Sequence, residues 1–149
     1  MTDRLHRNFA RSSFTIETID NVIFSEFTGQ WAKPITTHYV KAIKDKVYGF
    51  EGMPWFHLVL LDKWEMSSKE SAEAFSALGA WCYGHNIKAT LFVHQPNPIK
   101  RYQLEQMIPN KATGYRTCFF DTQAEACDFL ATLDTSPPNL WNRRVMGQR

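Results

Sequence analysis

The sequence predicts an α/β protein built on one mixed, mostly parallel sheet. Three observations carry that expectation. The runs Phe56-His-Leu-Val-Leu-Leu61 and Ala89-Thr-Leu-Phe-Val93 are almost solidly apolar, as strands covered on both faces must be. Segments of helical period alternate with them, the order that gives parallel strands joined by right-handed crossovers. The opening stretch instead alternates apolar and polar residues around a turn, which marks an antiparallel hairpin.

Taken in order, residues 1–13 carry Arg4, Arg7 and Arg11 with little periodicity and are expected to form a basic, mobile arm. Phe14-Thr-Ile-Glu-Thr-Ile19 alternates, Asp20-Asn21 tolerates positive φ, and Val22–Phe27 returns, giving the hairpin. Gly29 breaks it. After Pro34 the period turns helical: Ile35, Tyr39, Ala42, Ile43 and Val47 share a stripe, with Thr36 or Thr37 as the expected cap. Gly49 to Pro54 is turn-rich. The first buried strand, 56–61, ends at Asp62. Ser67-Ser-Lys-Glu70 is a capping box, followed by the stripe Ala72, Phe75, Leu78, Gly79 and Cys82, closing near Gly84. The second buried strand, 89–93, ends at His94.

Pro98 then suits the start of a helix with Leu104, Met107 and Ile108 inward, and Pro109 ends it. Thr117-Cys-Phe-Phe120 is a short strand. Thr122-Gln-Ala-Glu125 repeats the capping box ahead of Ala126, Phe129, Leu130 and Leu133. Ser136-Pro-Pro opens a polar tail, 134–149, with Trp141, Arg143, Arg144 and Arg149. A single domain is expected over 14–133.

The chain of 149 residues is long enough to bury a core without disulfides or metal. Its net charge of +2 argues for no nucleic-acid partner. The basic ends read as solvated. No apolar leader opens the sequence and no apolar run of about 18 residues occurs, so neither a secretory signal nor a transmembrane segment is expected. Cys82, Cys118 and Cys127 form no C-x-x-C pair and read as core residues of a cytoplasmic protein. The histidines His6, His38, His57, His85 and His94 show no metal-binding spacing, and glycine-rich phosphate loops are absent; no metal and no cofactor are expected.

Ligands of parallel sheets gather beyond the carboxyl ends of the strands. Those ends bring Asp62, Trp64, Ser67 and Ser68 toward His94 and Asn97, a set of carboxylate, indole, hydroxyls, imidazole and amide. Each also has a plain structural reading. The serines cap a helix, Asp62 accepts from loop amides, His94 terminates a strand, and Trp64 anchors a loop or meets a partner. His57 reads as a satisfied core histidine. A hydrolase triad of Ser67 or Ser68, His94 and Asp62 lacks the nucleophile elbow G-x-S-x-G.

The hairpin, the apolar strand ending in Asp62, the Ser-capped helix, the 89–93 strand and the closing Thr122-Gln-Ala-Glu-Ala-Cys-Asp-Phe-Leu130 together resemble a known group. The chain resembles small STAS-type proteins, in particular the bacterial SpoIIAA-like proteins also described as STAS/Sec14-like. The resemblance implies a four- or five-stranded sheet with helices packed on one face. It also implies a regulatory role switched by phosphorylation of a Ser at the start of the helix after the central strand. In that class the motif reads Asp-Ser-Ser-Gly; here it reads Met66-Ser67-Ser68-Lys69, without the Asp or the Gly. For the SpoIIAA-like branch, the resemblance implies binding of small amphipathic or lipid-like molecules, for which an aromatic-rich core offers room.

Two functions are therefore carried forward. The first is a non-enzymatic regulatory module whose protein partner meets the Asp62–Ser68 turn and the following helix. The second is a carrier or sensor of a small apolar or amphipathic ligand, with His94 and Asn97 at its rim. A serine hydrolase is the remote third. Sheet edges or an exposed Trp64 would support a homodimer.

Overall fold

The computed structural model describes residues 3–108 and 116–133. Strands β1 (Asp3–Phe9), β2 (Ser12–Ile19) and β3 (Val22–Trp31) form an antiparallel meander. Asp20 turns the second hairpin at φ 52°, in the left-handed region that Asp tolerates. Helix α1 (Lys33–Tyr48) follows, then β4 (Trp55–Leu60), β5 (Trp64–Ser67), α2 (Lys69–Tyr83), β6 (Ile87–Val93), α3 (Pro98–Gln106), β7 (Arg116–Phe120) and α4 (Gln123–Ala131).

Among the described residues the sheet has seven strands, in the order β1-β2-β3-β4-β6-β7, with β5 paired to β3. The two apolar runs lie side by side and point the same way, from Phe56 beside Ala89 to Leu60 beside Val93. Their exits therefore share one edge of the sheet. β3 pairs β4 along Val22–Glu26, and its far end, Gly29–Trp31, pairs β5. This arrangement places the start of α2 at the end of β3, where the Ser68 amide donates to the Trp31 carbonyl at 2.8 Å.

Three expectations need correction. Residues 3–9 are not a mobile arm. They form an edge strand whose Leu5 and Phe9 pack on the core while the arginines face water. Charged residues on an edge blunt its tendency to pair with other chains, and they also hide its alternation. The sheet accordingly has seven strands rather than four or five, since β1 and the short β5 add to it. Nor do all the helices cover one face. Helices α1, α2 and α3 bury Tyr39, Ile43, Phe75, Leu78 and Leu104 against one side, with Ile23, Trp55 and Val59. Helix α4 buries Ala126, Cys127 and Leu130 against Phe24, Leu58 and Leu91, which point the other way from the same strands.

Caps follow the sequence at α2 and α4, where the Ser68 and Thr122 hydroxyls accept from the Ser71 and Glu125 amides. Helix α1 instead starts from Ala32 with Pro34 in its first turn and no side-chain cap. Thr36 points inward and donates to the Ala32 carbonyl at 2.8 Å. Pro109, Trp141 and the arginines of the 134–149 tail lie outside the described residues. No helix among the described residues is long and apolar enough to cross a membrane.

Candidate functional site

The exits of β4 and β6 form one rim, as their pairing requires. Asp62 is exposed, and its Oδ1 accepts from the Gln95 amide at 2.8 Å. Asn97 caps α3, its Oδ1 accepting from the Lys100 amide at 3.0 Å. The Lys100 ammonium reaches back to donate to the Leu61 carbonyl at 2.8 Å. Desolvation lowers its pKa, opposed by the nearby Asp62 and Glu65 carboxylates. Asp62, Gln95, Pro96, Asn97 and Lys100 line a shallow depression of about 290 Å³. These polar groups mostly hold two strand ends and a helix start together.

His94 is 5% exposed, so it is buried and not part of an open rim. Its Nδ1 lies 2.8 Å from the Gln95 carbonyl, which makes that nitrogen the donor, and its Nε2 has no partner among the described residues. Trp64 is a correction: at 1% exposed it anchors the core and presents no surface to a partner or a second copy. Its indole donates to the Ser67 hydroxyl at 3.2 Å. The Ser67 amide donates to the Gln103 side chain of α3 at 2.6 Å. Helix α3 thus joins rim and turn, through Lys100 on one side and Gln103 on the other. The Ser67 and Ser68 hydroxyls, the His94 ring and the Asp62 carboxylate all have their contacts elsewhere, and the geometry of a triad is absent from them.

A deeper feature lies under the helices. Between the sheet and helices α2 and α3 there is a cavity of about 70 Å³. Phe27, Val59, Leu78, Leu104 and Met107 supply apolar wall, and no charged side chain lines it. Thr90 brings a third polar side chain to the wall, beside the polar Tyr39 and His57. The latter two belong to a buried cluster with Ser25: the Tyr39 hydroxyl donates to Ser25 Oγ at 2.8 Å, and His57 Nε2 lies 3.0 Å from both oxygens. Burial pushes the His57 pKa down to about 3 and drives that of the Tyr39 phenol strongly upward. Cys82, also in the wall, has its thiol pushed up to about 12 by burial. Every polar group described there is neutral at ordinary pH.

No family model matches the sequence, and no curated protein matches it. Among solved structures, the chain is similar to an uncharacterized protein from the DUF3478 family with a SpoIIAA-like fold, from Shewanella loihica PV-4. The two are 16% identical, and the match covers 83% of this chain and 97% of that one with a TM-score of 0.62. The chain has a SpoIIAA-like fold.

Within this SpoIIAA-like fold, the rim was legible in the sequence because strand ends and capping serines announce themselves. The cavity was not. Tyr39 read as one member of a helix stripe and His57 as a core residue inside an apolar run. Their meeting depends on β3 and β4 being neighbours beneath α1, with Ser25 directly beside Val59. The available signal was the imidazole itself, a polar ring in the most apolar strand of the chain.

Proposed function

We propose that this SpoIIAA-like domain is a non-enzymatic module that binds a small apolar ligand between its sheet and helices α2 and α3. The observation that carries the reading is the cavity, apolar over most of its wall and interrupted by the neutral Tyr39, His57 and Thr90. Binding sites for small molecules have this composition, mostly apolar with a few placed polar groups. Its size limits the guest. A cavity of about 150 Å³ admits benzene, and this one is about 70 Å³. The ligand is therefore a molecule of a few heavy atoms, or enters by one end. The neutral thiol of Cys82 offers no nucleophile, in keeping with binding without chemistry.

Isobutene, titrated against methyl-labelled protein and followed by NMR, tests this. Shifts confined to Val59, Leu61, Leu78, Ile87 and Leu104 are expected, and they should vanish in the cavity-filling variant Leu78→Phe. Absent or scattered shifts would contradict the reading.

A protein-docking role for the Asp62–Ser68 turn is the second reading. It is supported by Met66, Ile99 and Tyr102, which are 48%, 81% and 67% exposed on β5 and α3. Ser67→Asp should then change the set of captured proteins while circular dichroism stays native. An unchanged set counts against it.

A further inference from the structure

The protons of the Ser25–Tyr39–His57 cluster can be assigned. Tyr39 gives its hydroxyl proton to Ser25 Oγ. Among the described residues, the one acceptor within reach of the Ser25 hydroxyl proton is Nε2 of His57, at 3.0 Å. A neutral imidazole carries one N–H, so with Nε2 accepting, the proton sits on Nδ1. That Nδ1–H makes no hydrogen bond among the described residues. Nor is it among the sealed, partnerless atoms of the described residues. It therefore keeps access to open space, and the space that His57 lines is the cavity. His57 is 7% exposed, so bulk water does not satisfy it freely. A buried donor without an acceptor is costly, and a guest that supplies one removes the cost.

We propose that the cavity selects a small neutral molecule with a single hydrogen-bond acceptor, such as a ketone, whose oxygen takes the Nδ1–H of His57. The apolar remainder lies against Val59, Leu78, Leu104 and Met107. This inference rests on the cavity being a binding site. Charged acceptors are rejected because no cationic side chain lines the wall to replace their hydration. Ser25 and Tyr39 are positioning residues: together their hydroxyls keep Nε2 the acceptor of the ring whose Nδ1–H meets the guest.

Acetone and isobutene are isosteres that differ by an oxygen in place of a methylene, which makes them the probes. In the wild type, the imidazole ¹⁵N spectrum should show His57 as the Nδ1–H tautomer, with the Nδ1 signal moving on addition of acetone and not of isobutene. His57→Phe keeps an aromatic ring in the wall and removes the N–H that the guest's oxygen would take. Acetone affinity should fall about tenfold, the worth of one hydrogen bond of about 1.4 kcal/mol, while isobutene affinity stays within twofold. A wild-type Nε2–H tautomer, or equal losses for both probes, would overturn the assignment. Failure of isobutene to bind the wild type would instead sink the cavity reading itself. Should His57→Phe not fold, the wild-type ¹⁵N titration with the two probes decides alone.

Discussion

Gly29 sits at φ +79°, and a Cβ there would lie 2.0 Å from the Arg11 carbonyl oxygen. Backbone blocks backbone, so no rotamer relieves the clash. Gly29→Ala should cost more than the roughly 1–3 kcal/mol of a left-handed L-residue alone, read from urea unfolding; a change below 1 kcal/mol would contradict it. Ser68→Ala removes the cap of α2 and should cost about 1 kcal/mol, with the fold intact by circular dichroism. His57 sets a pH dependence whose sign is fixed. Its folded pKa of about 3 lies below the ordinary histidine value of 6.5, so the unfolded chain takes the proton first. Its contribution is fully present above pH 6.5 and is lost as pH falls toward 3, with a slope of at most about 1.4 kcal/mol per pH unit. Unfolding free energies measured across that window should show a shallower acid limb in His57→Gln than in the wild type. At this scale the sequence was clear where local chemistry decides, as at the Ser68 and Thr122 caps. It left Trp64 open between a loop anchor and a partner contact, because burial of an indole beside a loop depends on β5 folding back against β3.

Elements were legible in proportion to how much of their pattern is local. The strands β4 and β6 announced themselves as apolar runs, and the stripe of α2 as a helical period. β1 did not, because a solvated edge carries arginines where a central strand carries valines. β5, four residues long, is too short for any periodicity and exists through pairing with Gly29–Trp31. The stripe of α4 was legible, but not which face of the sheet it covers. That choice follows from the crossover after β7 and from Leu58 and Leu91, whose side chains need a cover opposite to Val59 and Phe92. Leu130, fully buried, therefore seals a second core. Leu130→Ala should cost about 2–5 kcal/mol in unfolding experiments, whereas the neighbouring exposed Asp128→Ala should be nearly neutral.

Over the described residues the molecule is a sheet with a core on each face, and the larger core, under three helices, holds the apolar cavity. The antiparallel meander β1-β2-β3 closes one side of the sheet. Removing residues 1–9 would expose the β2 edge, and the truncated protein should self-associate in sedimentation at concentrations where the full chain does not; identical behaviour would argue that β1 plays no such guarding role. Fold class was legible from the alternation of strands and helices, whereas the cavity required three elements distant in sequence to meet. A crystal structure under xenon pressure tests its role most directly, since xenon enters dry apolar cavities without chemical preference. Xenon density among Phe27, Leu78 and Leu104, lost in Leu78→Phe, is the expected result. A pressurised crystal with no xenon there, or with xenon instead in the core under α4, would contradict it.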